Sequence, residues 1–83
     1  MTLLYFAWVR EKVGISQESV TPPDTVRTVD ELITWLASRS AKHADAFSDR
    51  KLVKVAVDQA HANARADIQG AKEVAFFPPV TGG

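Results

Sequence analysis

Gly82 and Gly83 close the sequence, directly after Phe76-Phe77-Pro78-Pro79-Val80-Thr81. Two residues without side chains leave the Gly83 carboxylate at the tip of a segment thin enough for a narrow channel. Their backbone also reaches torsions closed to other residues. The chemistry that suits such an end is activation of the carboxylate itself: adenylation, then exchange of AMP for sulfur or an amine. A frayed terminus would also end in small residues. The stiff lead-in separates the two readings, because Pro78 and Pro79 leave an apolar run and should make the tail project from a fixed point.

Other chemistry is poorly represented. With no cysteine in 83 residues there is no disulfide framework, thiol nucleophile or thiolate metal site, so any sulfur involved has to be added. His43 and His61 lack ligand-like spacing to acidic residues, so no metal site is expected. No Ser–His–Asp arrangement is recognisable, and no catalytic residue is expected on this chain alone. Ten basic side chains balance ten acidic ones, which argues against a nucleic-acid partner, since that would need a cationic excess to displace phosphate counterions. The apolar start, Leu3 to Val9, is closed by Arg10-Glu11-Lys12 and is too short to span a bilayer. No membrane partner is expected, and a cytoplasmic location is.

The elements that must position the tail fit one small domain. Residues 3–9 read as a strand, apolar on both faces: Leu3, Tyr5, Ala7 and Val9 on one, Leu4, Phe6 and Trp8 on the other. Residues 15–21 form a weaker second strand and complete a hairpin. Thr28 and Glu31 make a capping box that opens a helix from Val29 to about Lys42, with Val29, Leu32, Ile33 and Leu36 on its apolar stripe and Trp35 off it. Residues 43–50 are a polar connection anchored by Phe47. Leu52–Val57 is a strand with its valines on one face, the alanine-rich 59–69 holds a short edge strand plus turn, and Glu73–Phe77 is the last strand. This order predicts an α+β fold of β-grasp (ubiquitin-like) layout: a mixed sheet of four to five strands packed on one main helix. Its first and last strands would pair in parallel at the centre. Residues 1–77 would be the body and 78–83 the reactive tail.

The chain resembles the family of molybdopterin synthase small subunits, which are ubiquitin-like sulfur carriers. Phe6-Ala7-Trp8-Val9-Arg10-Glu11-Lys12-Val13-Gly14 is similar to the family's F-A-x-[VL]-R-E-x-x-G, and Thr28-Val29-Asp30-Glu31-Leu32 to its T-V-x-x-L. Val57-Asp58-Gln59 stands where V-N-[QE] is common. The run from Glu73 to Gly83 resembles D-E-V-A-F-F-P-P-V-[ST]-G-G. Departures are Gly70 standing one position early in the last turn, Asp58 in place of asparagine, and His61 at a usually more apolar position.

The resemblance implies a mechanism. An adenylyltransferase related to ubiquitin-activating enzymes would consume ATP to adenylate Gly83, and a sulfur donor protein would convert the adenylate to a thiocarboxylate. The sulfur, carried covalently with no permanently bound cofactor, would then pass to cyclic pyranopterin monophosphate in the large subunit. The family's synthase pairs two small with two large subunits. Pro78, Pro79, Val80, Thr81 and Gly82 would lie in the partner channel, and Phe6, Phe77, Arg10 and His61 at the partner interface. Phe6 and Phe77 can equally fill the core, and Arg10 can simply close a strand with charge. Rival readings are a related carrier for thiamine or tRNA thiolation, a protein modifier forming isopeptide bonds, and an interaction module with an inert tail.

Overall fold

Two short apolar runs build the centre of the sheet. Strand β1 (Thr2–Tyr5) and strand β5 (Glu73–Phe77) run parallel, with Leu3 beside Val74 and Tyr5 beside Phe76. The computed structural model describes residues 1–79. Strand β2 (Gln17–Ser19) pairs antiparallel with β1, and β3 (Lys54–Val57) antiparallel with β5. Strand β4 (Ala60–Ala62) completes the order β2-β1-β5-β3-β4. The expected parallel pairing of first and last strands is therefore present, with β5 in the middle.

Because side chains alternate along a strand, the register sorts the sheet into two faces. Leu3, Tyr5, Val74, Phe76 and Val55 share one face and are buried. Helices α1 (Ala7–Val13), α2 (Val29–Ala37) and α3 (Ala41–Ala46) supply the other half of that core through Val9, Val13, Leu32, Ile33, Leu36 and Ala46. Phe47 packs edge-on against Phe76 at 5.0 Å between ring centroids, which makes it the expected anchor.

Helix α2 starts where the capping box places it. The Glu31 amide donates to Thr28 Oγ1 at 3.2 Å, and the Thr28 amide donates to Glu31 Oε1 at 3.1 Å. Two more first-turn amides, Val29 and Asp30, donate to the carbonyls of Ala66 and Ala64. The alanine-rich segment thus satisfies helix donors that would otherwise be orphaned, after forming the expected short edge strand. Its hairpin to β3 turns on Asp58 and Gln59, at φ 48° and 71°. That is the left-handed pair a two-residue turn requires, and asparagine or aspartate tolerates it well.

Four boundaries differ from the sequence reading, the slightest being the second strand, which covers Gln17–Ser19 instead of 15–21. The 3–9 run is not one strand: it ends at Tyr5, Ala7 takes φ 52°, and the chain turns into α1. Val9 is buried through the helix, and Phe6 and Trp8 are not on the sheet. The signals were Val9 and Val13 four apart, basic residues in the last turn, and Gly14, which ends α1 at φ 94°. The helix from Val29 stops at Ala37 instead of Lys42, because Ser40 caps a separate helix α3 and accepts from the His43 amide at 3.1 Å. Residues 41–46, partly assigned to a polar connection, are therefore helical. Leu52 belongs to a 3₁₀ turn, Arg50–Leu52, and β3 begins only at Lys54.

Candidate docking face and tail root

Among the described residues, the face of the sheet turned away from the three helices carries no helix. In register across it stand Leu4 beside Ala75, Ala75 beside Ala56, Ala56 beside His61, and Phe77 beside Lys54. Small and apolar residues fill its centre, while His61 and Lys54 bring polarity to one side. The Phe77 ring is half-buried and meets His61 edge-to-face, with centroids 5.6 Å apart and planes at 82°. Lys54, His61, Ala62, Asn63 and Phe77 together line a shallow depression.

The expected interface residues are thus only partly gathered. Phe77 and His61 meet directly. Phe6 precedes α1 as its N-terminal cap residue, is 47% exposed, and donates its amide to the Phe76 carbonyl at 3.0 Å. It therefore flanks the end of β5 without lying on the face with Phe77. Arg10 is exposed on α1, so it does not close a strand. Phe76, the neighbour that could have exchanged roles with Phe77, is fully buried and stacks on Tyr5 at 5.7 Å.

Central strand β5 runs straight into Pro78 and Pro79, both half-buried. Gly83, the residue expected to react, lies outside the described residues together with Gly82, Thr81 and Val80. The body nevertheless defines where the tail departs: from the middle of the sheet, at the end where β1 gives way to α1.

A polar group that sequence reasoning missed sits on the helix-covered side. Glu18 Oε2 accepts from Tyr5 OH at 2.7 Å and lies 2.7 Å from His43 Nε2, while His43 Nδ1 lies 2.7 Å from Ser40 Oγ. The histidine is buried, so burial without partners would be costly. Partial burial tends to raise the Glu18 pKa, yet the hydrogen bonds from His43 and Tyr5 outweigh it and hold the carboxyl below its ordinary range. Tyr5 moves upward, through burial first and then through the Glu18 hydrogen bond and charge. This cluster ties edge strand β2 to α3 and lies beneath the sheet, away from the docking face. Among the described residues no group of three His, Asp or Glu side chains could hold a metal ion, and no helix is long and apolar enough to cross a membrane.

Comparison with known proteins follows the same lines. Residues 3–83 match the ThiS family. The chain is 34% identical over 83 residues to the "Molybdopterin synthase sulfur carrier subunit" of Haemophilus influenzae, covering 100% of this chain and 99% of that protein. It is 41% identical over 81 residues to the protein of the same name from Escherichia coli, covering 98% and 96%. Among solved structures, SAMP1 from Haloferax volcanii superposes with a TM-score of 0.73 at 25% identity, covering 100% of this chain and 98% of that one.

Proposed function

The chain belongs to the ThiS family, and from that premise we propose that it is the sulfur carrier subunit of a molybdopterin synthase in molybdenum cofactor biosynthesis. The observation that carries this reading is the tail root: a central strand that delivers Pro78-Pro79 beside a sheet face that no helix covers among the described residues. Full-length similarity to two proteins named as such subunits supports it.

In the proposed cycle the Gly83 carboxylate attacks the α-phosphorus of ATP on an activating adenylyltransferase, and pyrophosphate leaves. A carboxylate is a poor electrophile, and AMP as leaving group overcomes this. Attack by the terminal sulfur of a donor persulfide expels AMP, and a thiol then cleaves the resulting S–S bond to release the thiocarboxylate. Its soft sulfur is a better nucleophile than a carboxylate oxygen and would attack cyclic pyranopterin monophosphate in the large subunit. The large subunit would supply the acid and base groups. The open face, with Phe77 and His61, would seat the partners in turn, while Phe6 and Arg10 would extend the contact toward α1.

The test is to delete Gly83. The melting temperature should stay essentially unchanged, because a protruding terminus makes few buried contacts. Loading with sulfur should be abolished, since a chain shorter by ~3.3–3.6 Å no longer places its carboxylate at the activating site. Intact mass after reaction with ATP, activating enzyme and donor reads the result: the full chain gains about 16 mass units when sulfur replaces oxygen. A shortened chain that loads and transfers sulfur as well as the parent would overturn the mechanism.

A further inference from the structure

Strand β2 is outermost on its side of the sheet, and its ladder with β1 shows which of its backbone groups are free. Residues opposite one another in an antiparallel pair alternate between exchanging backbone hydrogen bonds and exchanging none. Met1 and Val20 exchange both of theirs, at 3.1 and 2.9 Å, and the Tyr5 amide donates to the Ser16 carbonyl at 2.9 Å. Leu3 and Glu18 stand between these pairs and bond in the same way. Gln17 and Ser19 therefore turn N–H and C=O outward. In keeping with this, the Thr2 amide opposite Ser19 donates the other way, to the Lys72 carbonyl. Among the described residues no hydrogen bond reaches these outward groups. The opposite edge is treated differently: after β4 the chain folds back, and the Ala64 and Ala66 carbonyls accept from the first turn of α2.

An unpaired edge is a template for another strand, and β2 fits a second copy of itself. An antiparallel two-fold pairing centred on Glu18 sets each copy's Gln17 against the other's Ser19, and both have outward groups to exchange. The same register puts Glu18 opposite Glu18, in the closer, non-hydrogen-bonded kind of site, with Cα atoms about 4.5 Å apart. Glu18 points to the helix side with its side chain 16% exposed, and its Oε2 takes both the Tyr5 and the His43 bonds. Its Oε1 has no protein partner among the described residues and is not sealed from solvent. Pairing would set two carboxylates face to face and remove the water on which Oε1 relies, and both effects oppose it. We infer that the outer edge of β2 is a pairing surface for a second copy of this chain, held shut by Glu18. The Tyr5 and His43 bonds keep the carboxylate where it blocks the pairing, a task beyond joining β2 to α3. This holds whatever the tail carries.

The experiment is sedimentation equilibrium of the full chain at neutral pH, where the parent should be a monomer. Glu18→Gln keeps the shape of the side chain and removes its charge. It should dimerise at least about tenfold more tightly than the parent, because like charges brought together at an interface cost more than one factor of ten. Adding Ser19→Pro removes an outward N–H and no bond to β1, so it should return Glu18→Gln to the monomer. A second variant, Tyr5→Phe with Glu18→Leu and His43→Leu, replaces the polar set by apolar groups and leaves no buried partner unpaired. It should dimerise too, and lose the dimer with Ser19→Pro. If both variants associate within about twofold of the parent, the proposal is overturned. A dimer of Glu18→Gln that survives Ser19→Pro uses another surface and overturns it as well. A parent that is already a dimer, dissociated by Ser19→Pro, shows that Glu18 does not hold the edge shut and also overturns it.

Discussion

The two faces of the sheet each carry an aromatic ring against a histidine, and they treat the pair in opposite ways. On the helix side, Tyr5 meets His43 at 6.2 Å, and both imidazole nitrogens have partners in Glu18 and Ser40. On the open side, Phe77 meets His61 at 5.6 Å, and His61 has no side-chain hydrogen bond among the described residues. The first arrangement is complete in itself and closes the gap between β2 and α3. The second leaves an apolar ring and an unengaged polar edge, which suits a surface that changes partners. Burial is therefore concentrated on one face, while the other stays partly open, one residue apart along β5.

The largest effect expected from breaking this division is Phe76→Ala, which should cost about 3–5 kcal/mol, as for other buried phenylalanines. Phe77→Ala should cost about 1 kcal/mol or less, within the range of substitutions at partly exposed positions, while weakening large-subunit binding. Urea unfolding of both variants beside binding titrations separates the faces, and a reversed pattern would mean that the β5 register is shifted by one.

Next in size is Glu18→Gln, which leaves Tyr5 and His43 facing a neutral amide. Weakening hydrogen bonds to a charged, partly buried group should cost ~1–3 kcal/mol at pH 7. The sign with pH follows from the direction of the shift. A depressed folded pKa contributes stability that is fully present above the ordinary carboxyl value of 4.5 and lost as pH falls through the lower folded value. The parent should lose stability below about pH 4.5 more steeply than Glu18→Gln, as read from urea midpoints at pH 7 and in that acid range. Parallel acid limbs would remove Glu18 from the account.

Thr28→Ala is the smallest change, about 1 kcal/mol from the lost N-cap. It should leave large-subunit affinity unaltered, since the cap is remote from the open face. A loss of affinity in thermal-melt-matched samples would show that the two regions are coupled.

How much was legible varies with the range of the forces involved. Local signals were read correctly. The Thr28–Glu31 box opens α2, the alternation in Glu73–Phe77 separates Phe76 from Phe77, and Lys54 faces solvent. The start of the chain misled, because Leu3 to Val9 is apolar at every position and no period distinguishes a strand from a short helix. A single left-handed residue, Ala7, decides where one ends and the other begins. His43 gave no sign of its role, since Glu18 lies 25 positions away and only the tertiary fold, with α3 packed on α1 and α2, brings them together.

By itself the sequence determined the α+β order of elements, because strand periodicity and helix capping are local signals, and the likeness of that order to a β-grasp layout carried the expectation that its first and last strands pair in parallel. Tertiary structure decided the rest. It set which aromatics are covered, joined Tyr5, Glu18 and His43 into one cluster, and made β2 an edge strand with Glu18 turned inward. Those facts depend on strand direction and register, which join residues far apart in sequence and so leave no local trace.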